Sequence, residues 1–143
     1  MFVKQILQSK GNEVWTIGKE ALVFEALQLL ADKGIGALLV VEQGKPVGVF
    51  SERDYARKVF LLGKSSKETR VGEVMHEKVM YVRPDQTLEE CMALMTHKHV
   101  RHLPVMEDDK LVGLISIGDV VKAMIDEKEF MIEQLVKYVQ AGW

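Results

Sequence analysis

The chain has 143 residues, of which 48% are hydrophobic and 28% are charged, so a packed globular core is expected and disorder is excluded. Its 19 basic and 21 acidic residues give a net charge of −2, which argues against nucleic acid or an anionic membrane as the main partner. No apolar run is long enough to span a membrane, and the single cysteine, Cys91, cannot form an internal disulfide. These features predict a cytoplasmic protein.

The first half of the chain predicts a short helix followed by one mixed α/β unit. Apolar residues at positions 2, 3, 6 and 7 recur at helical spacing. A strand is expected at 14–17, then a helix that Gly34 ends, and two strands at 37–42 and 47–50 joined by a polar turn. Ser51 then begins another helix. The order within this unit is β-α-β-β-α.

The second half of the chain repeats this unit. A shift of 65 residues aligns 14–59 with 79–124 without a gap, and 12 of the 46 aligned positions are identical, where chance would give roughly three. Strands are expected at 79–82, 102–107 and 112–115, and Pro84 with Asp85 is expected to open the first helix. Pro104 falls inside a predicted strand, where proline is normally confined to an edge or a bulge.

The predicted architecture is therefore α/β (α+β), with two pseudo-symmetric units packed through their sheets. We expect the first unit, with the N-terminal helix and the linker, to span 1–70, and the second unit, with a C-terminal helix, to span 71–143. The tail at 127–140 carries a broad apolar stripe at helical spacing. The pattern leaves open whether this tail packs on its own module or across a dimer.

Both units contain the same strand-to-helix corner, with glycine, serine and aspartate at fixed spacing. Gly48, Ser51 and Asp54 form the first, and residues 113, 116 and 119 form the second. In one interpretation the serine and aspartate only cap a helix. In the other, a hydroxyl and free N–H groups bind a phosphate, the carboxylate accepts hydrogen bonds from a ribose diol, and the glycine permits close backbone approach.

Three longer motifs resemble the CBS domain, named from cystathionine beta-synthase. They are V-x-P-D-x-T-L-x-E-C from residue 82, V-R-H-L-P-V from residue 100 and L-V-G-L-I-S-I-G-D-V-V from residue 111. The doubled unit resembles a CBS pair, or Bateman module, over about residues 10 to 125. The first copy departs from the family pattern at Lys19 and Leu39, where the family has proline.

The resemblance implies a sensor without catalytic activity or a required cofactor. Such a module would bind an adenine nucleotide of the AMP, ADP or ATP type, with AMP as the first choice and NAD(H) or S-adenosylmethionine as alternatives. It would form a homodimer and regulate a partner protein in trans. The alternative function is a structural interaction module that dimerises without a physiological ligand.

The resemblance also assigns site residues in two clefts. The corners would supply Ser51 with Asp54 and Ser116 with Asp119, and the remaining lining residues would be Trp15, Ile35, Gly36, Ala37, Met80, Val100, Arg101, His102 and Leu114. Arg53 and Arg101 would each bind phosphate in a different cleft. The cleft at Ser116 is expected to bind a mono- or diphosphate more tightly than the cleft at Ser51.

Other chemistries find little support in the sequence. There is no Walker lysine motif and no G-x-S-x-G, and Cys91 falls on the apolar face of a helix, so no enzyme is expected. His97, His99 and His102 lack further ligands at metal spacing and are interpreted as solvated, with His102 near phosphate. Arg57 and Lys58 are interpreted as a solvated helix face.

Overall fold

The computed structural model describes residues 1–77 and 79–142. Its elements in chain order are α1 (Val3–Lys10), β1 (Thr16–Gly18), α2 (Val23–Lys33), β2 (Ala37–Glu42), β3 (Lys45–Ser51), α3 (Glu52–Tyr55) with a π-helical continuation (Ala56–Phe60), α4 (Val71–Val74), α5 (Leu88–Lys98), β4 (His102–Glu107), β5 (Lys110–Ser116) and α6 (Ile117–Gly142). The predicted α/β architecture with two related units is confirmed.

Each unit is built around an antiparallel strand pair. In the first unit β2 pairs with β3, and β1 adds to β2 in parallel. In the second unit β4 pairs with β5 in the corresponding register. Both pairs carry a register shift at equivalent positions, between Val40 and Val41 and between Val105 and Met106. The duplication visible in the sequence is therefore preserved in the strand register.

The strand expected at 79–82 is reduced to an isolated bridge between Val82 and Val105. Pro104 explains the difference. Its first-unit equivalent, Leu39, donates its backbone N–H to the Trp15 carbonyl at 3.2 Å, a bond that proline cannot make. The bonds that remain at this edge join Val82 to the main chain of Pro104 and Met106 at 3.0 and 2.9 Å.

The ends of the paired helices α2 and α5 follow local sequence signals. Gly34 ends α2, as predicted, and His99 at the matching position ends α5; both adopt the left-handed conformation, with φ of 64° and 55°. Helix α5 begins later than expected. Pro84 and Asp85 lie in a turn, and Thr87 caps the helix by accepting a hydrogen bond from the Glu90 N–H at 3.1 Å.

The units exchange their entry helices. Helix α1 buries Val3, Ile6 and Leu7 in the core of the second unit, whereas α4 buries Val71 and Val74 in the core of the first. The division of the chain at residue 70 remains a prediction. The structure adds that each core includes a helix from across that division.

The glycine of each corner makes room for these exchanged segments and not for a ligand. A Cβ atom at Gly113 would lie 2.6 Å from Leu7 Cδ2 on α1, and one at Gly48 would lie 2.6 Å from Met75 Sδ and 3.0 Å from the His76 carbonyl. The expected role of these glycines in ligand approach is therefore replaced by a packing role.

The two units meet through their sheets, as expected. Ala37, Leu39 and Val49 of the first sheet are buried in a cluster that also contains the half-buried Leu111 and Leu114 of β5. This shared apolar layer joins the sheets that contain β3 and β5. The two corners, which follow these strands, are therefore held by sheets that pack on each other.

The C-terminal helix expected from the sequence is not a separate element, because it is the second half of α6. Helix α6 runs through 26 residues without interruption, from Ile117 to Gly142. Every residue from 128 to 141 is exposed, so this part of α6 contributes no buried side chain to the core of either unit. Among residues 1–77 and 79–142, no helix is long and apolar enough to cross a membrane.

Candidate functional site

Both strand-to-helix corners form reciprocal capping hydrogen bonds. Ser51 Oγ accepts from the Asp54 N–H at 3.2 Å, and Asp54 Oδ2 accepts from the Ser51 N–H at 2.9 Å. The second corner repeats this geometry, with distances of 3.1 Å and 2.8 Å between Ser116 and Asp119. The capping interpretation is therefore confirmed at both corners, and any ligand would be bound by groups that already have this structural role.

Each corner carboxylate also pairs with a lysine. Lys10 Nζ lies 2.6 Å from Asp119 Oδ2 and also donates to the Leu114 carbonyl at 2.8 Å. Lys58 Nζ lies 3.4 Å from Asp54 Oδ1 and 3.3 Å from the Val74 carbonyl oxygen, to which it donates. The two lysines come from different elements, because Lys58 is one turn along the same helical segment whereas Lys10 belongs to α1.

The environment of Asp119 lowers its pKa. Burial by itself raises the pKa of this carboxyl, but hydrogen bonds from Lys10 and from the Ser116 backbone, together with the charge of Lys10, lower it further than burial raises it. Asp119 is therefore a carboxylate at neutral pH that is already bound by a cation.

A cleft of about 890 Å³ lies between the units. The first unit contributes its corner and the following helical turns, namely Ser51, Glu52, Arg53, Asp54, Arg57 and Lys58. The second unit contributes the end of α5, the entry to β4 and the start of α6, namely Thr96, His99, Val100, Arg101, His102 and Ser116. The volume lies within the range of about 300–1,000 Å³ that is usual for small-molecule sites.

The cleft has a cationic wall. Arg53, Arg57, Lys58 and Arg101 line it, against the carboxylates of Glu52 and Asp54. The charges of Arg101 and then Arg57 lower the pKa of Arg53, which places these guanidinium groups within electrostatic reach of one another. Such a cluster is suited to an anionic ligand, because the ligand would relieve the mutual repulsion.

His102 lies at the second-unit side of the same cleft. Burial lowers its pKa first, the charge of Lys10 lowers it further, and the carboxylates of Asp119 and Asp54 act in the opposite direction. The net effect favours the neutral imidazole at pH 7. His102 is therefore a hydrogen-bonding group in this cleft and not a fifth cation.

The structure brings together eight of the fourteen residues assigned from the sequence. Gly36, Ser51, Arg53, Asp54, Val100, Arg101, His102 and Ser116 line the cleft. The other six lie elsewhere. Trp15 and Met80 pack beside the cores of their own units, Ala37 and Leu114 lie in the layer between the sheets, Ile35 lines a smaller depression beside α2, and Asp119 faces Lys10.

Two expectations about charge are corrected. Arg53 and Arg101 were expected to serve different clefts, yet both line the same one, so the expected ranking of two clefts loses its basis. Arg57 and Lys58 were interpreted as a solvated helix face, yet they also line this cleft. Helical spacing indicates this placement, because Arg57 and Lys58 follow Arg53 and Asp54 by four residues and lie on the same face of the helix.

Two other residues have clear environments. Cys91 is fully buried in the core of the second unit, as expected, and burial followed by the charge of Glu90 raises the pKa of its thiol to about 11. His76 lines the cleft and was missed by sequence reasoning. It is fixed there by two backbone hydrogen bonds with Val49, at 2.9 and 2.8 Å. Within the part of the chain that the structure describes, no group of three or more His, Cys, Asp or Glu residues is placed to hold a metal ion.

Comparison with known proteins agrees with this architecture. The CBS domain model matches residues 3–60 and 71–126. The CBS domain-containing protein CBSX3, mitochondrial, of Arabidopsis thaliana is 35% identical over 151 residues, which cover 99% of this chain and 73% of that protein. The solved structure of a protein with CBS domains from Burkholderia ambifaria MC40-6 is 53% identical, with a TM-score of 0.82 over 88% of this chain and 95% of that one.

A more distant structure shares the fold. The CBS domain pair of protein MJ0100, solved in complex with 5′-methylthioadenosine and S-adenosyl-L-methionine, is 24% identical, with a TM-score of 0.75 over 87% of this chain and 99% of that one. Because the family model matches most of the chain in two consecutive segments, this protein belongs to the CBS domain family and carries the domain as a pair.

Proposed function

We propose that this CBS pair is a non-catalytic sensor that binds an adenine nucleotide in the cleft between its units and regulates a partner protein in trans. The observation that carries the proposal is the convergence of Arg53, Arg57, Lys58 and Arg101 from both units on one cleft. AMP is the first choice of ligand, with ADP, ATP, NAD(H) and S-adenosylmethionine as alternatives. Because each unit supplies part of the cleft wall, binding of the ligand would depend on the position of one unit relative to the other.

The phosphate end of the ligand would bind at the cationic wall. Arginine guanidinium groups bind phosphate oxygens in pairs, and Arg53 and Arg101 repel each other in the free cleft. A phosphate between them would replace this repulsion with two attractive contacts. The Ser51 hydroxyl and His102, which line the same cleft, are available as neutral hydrogen-bonding groups.

The nucleoside end would use the remaining walls. Asp54 presents a carboxylate that could accept hydrogen bonds from a ribose diol, and Val49, Val100 and Ile117 supply apolar surface for a flat base. Protein MJ0100 holds two adenosine compounds in the same fold, which supports an adenosine ligand in general terms. The proposed base and ribose contacts rest on the chemistry of these side chains.

A structural interaction module without a ligand is the second candidate. Both corner carboxylates already form capping hydrogen bonds and lysine pairs. A structural module would need these contacts, whereas a ligand would have to displace or share them. Both candidates include a homodimer.

The test is to measure nucleotide occupancy and affinity directly. The purified protein is denatured and the released small molecules are identified by mass spectrometry. Protein that has been freed of bound nucleotide is then titrated with AMP, ADP, ATP, NADH and S-adenosylmethionine by calorimetry. We expect a bound adenine nucleotide, and we expect Arg101→Ala to weaken its affinity roughly 10- to 150-fold, as for the loss of a hydrogen bond to a charged group.

The control is Arg83→Ala, because Arg83 is exposed, lies outside the cleft and pairs with Asp85. It should bind as the wild type does. Absence of both released nucleotide and titration heat for all five compounds would reject the sensor and favour the structural module. Equal affinity in the wild type and Arg101→Ala would reject this cleft as the phosphate site.

A further inference from the structure

The second half of α6 is a helical arm with an uncovered apolar face. Val120, near the start of α6, is fully buried, whereas all residues from 128 to 141 are exposed. Ile125, Met131, Ile132, Leu135, Val136 and Val139 are between 48% and 62% exposed. Helical segments of this length are marginal in water without packing, so an arm of this composition is expected to have an occupant on its apolar face.

The apolar side chains of the arm form a stripe along one side of the helix, which Lys128 interrupts. At 100° per residue these six positions fall within an arc of about 140°, while Asp126, Glu133 and Lys137 lie on the opposite side. Ile125, Ile132 and Val139 repeat at intervals of seven, and Leu135 lies three residues after Ile132. This spacing is the pattern that packs one helix against another by knobs-into-holes contacts.

The chain has more accessible surface than a monomeric protein of its mass. The accessible surface is 9188 Å² for a mass of 16.2 kDa, whereas a monomeric protein of this mass has about 7,450 Å². The excess of about 1,700 Å² is greater than the roughly 800 Å² that each partner contributes to a standard interface. The chain therefore exposes enough additional surface for a standard interface with a second copy of itself.

The charge of the arm distinguishes between occupants. Residues 126–140 contain four acidic and two basic side chains, so the polar face is acidic. Helices that lie on anionic membranes carry lysine and arginine on the polar face, and this arm has the opposite charge. A second copy of the arm fits better, because its stripe is apolar, of the same length and self-complementary.

Lys128 decides the relative direction of two paired arms. It lies three residues after Ile125, inside the arc of the stripe, at the heptad position that Leu135 takes one repeat later. In a parallel pair, Lys128 of one copy would face Lys128 of the other. In an antiparallel pair centred near Leu135, it would instead lie beside the last turn of the partner helix, where carbonyl groups carry partial negative charge.

We infer that the arm of α6 is a homodimerisation element that pairs antiparallel with the arm of a second copy. This interaction surface is separate from the nucleotide cleft, and it answers the question that the sequence left open about the tail. Because none of the arm residues lines the cleft, the pairing and the ligand binding can be tested independently.

The first experiment compares two charge substitutions on the same arm. Leu135→Glu places a carboxylate in the stripe, whereas Phe130→Glu is the matched control, because Phe130 is also 62% exposed but points away from the stripe. By sedimentation equilibrium we expect a dimer for the wild type and for Phe130→Glu. Leu135→Glu should raise the dimer dissociation constant at least about 100-fold. A monomeric wild type, or an unchanged dimer in Leu135→Glu, would overturn the inference.

The second experiment tests direction by oxidative cross-linking. In antiparallel arms, Leu135→Cys should form an intermolecular disulfide efficiently, and Lys128→Cys should not. The native Cys91 is fully buried and does not compete. Equal cross-linking of both variants would reject the antiparallel arrangement. Nucleotide titration of Leu135→Glu separates this proposal from the sensor function, since failure of dimerisation leaves the cleft residues unchanged.

Discussion

Lys10 and Asp119 are 109 residues apart in the chain, yet the Lys10 ammonium donates to Asp119 Oδ2 at 2.6 Å. The contact joins the N-terminal helix to the first turn of α6, and the same ammonium also bonds to the Leu114 carbonyl. Helix α1 is thereby fixed to the second unit by a charge pair as well as by its buried apolar face. The first unit uses a local lysine, Lys58, at the corresponding carboxylate.

Removal of the Lys10 charge should reduce stability in a pH-dependent way. Lys10→Met should cost about 0.2–1 kcal/mol at pH 7, since the pair is partly exposed and screened by solvent. The pKa of Asp119 is lowered in the fold, so its contribution to stability is present above the unfolded pKa near 4 and is lost as the pH falls through the folded value. Urea unfolding at pH 7 and at pH 3 should therefore show a smaller acid loss in Lys10→Met.

The matched control is Lys4→Met on the same helix, because Lys4 lies over the Phe2 ring and not beside a carboxylate. It should leave the acid dependence of stability as in the wild type. An acid loss in Lys10→Met equal to that of the wild type would show that the pair does not lower the pKa of Asp119.

His102 should make stability fall as the solution becomes mildly acidic. Its pKa is lowered in the fold, chiefly by burial, so the unfolded chain binds a proton at a higher pH than the folded protein does. The contribution is fully present above the unfolded pKa of about 6.5 and decreases as the pH falls below it. Melting temperatures at pH 7, 6 and 5 should show a shallower fall in His102→Gln. Parallel slopes in the two proteins would contradict this assignment.

The corner glycines should be intolerant of alanine. Gly113→Ala would press against the buried Leu7, and Gly48→Ala would press against Met75 and the fixed His76 carbonyl. Each should cost about 1–3 kcal/mol in urea unfolding, with Gly48 the more costly, since a backbone atom cannot rotate away. Gly18→Ala is the control, because its added Cβ would meet no atom within 4 Å.

A double-mutant cycle separates packing from backbone entropy at Gly113. Leu7→Ala removes the atoms that the new methyl group would meet, so the cost of Gly113→Ala should be smaller in that background. Additive costs in the double variant would show that contact with Leu7 is not the cause.

Pro104→Leu should restore a missing strand bond in the second unit. The new N–H is expected to donate to the Met80 carbonyl, as Leu39 donates to Trp15 in the first unit. Hydrogen exchange should show a protected amide at residue 104 and slower exchange at Val82. The net change in stability should be small, because a hydrogen bond worth about 0.5–1.5 kcal/mol is offset by the greater freedom of the unfolded chain. Rapid exchange at residue 104 would contradict the expectation.

Local features of this protein followed from the sequence alone. The β-α-β-β-α order of the first unit, the helix ends at Gly34 and His99 and the caps at Ser51 and Ser116 depend on residues within a few positions of one another. Propensity, periodicity and capping act at this range, so pattern analysis was sufficient to identify them. Pro104 is unusual within a strand, yet β4 forms over the predicted residues, and it is the neighbouring strand at 79–82 that is reduced to a bridge.

Tertiary structure decided which residues share a site. The exchange of α1 and α4, the contact of Lys10 with Asp119 and the convergence of Arg53 with Arg101 each join segments far apart in the chain. They depend on how two sheets pack and on which faces that packing leaves open, and no local pattern encodes this. The same reason explains α6. Its apolar stripe is evident in the sequence, but only the packed fold shows that the second half of the helix extends beyond its own core.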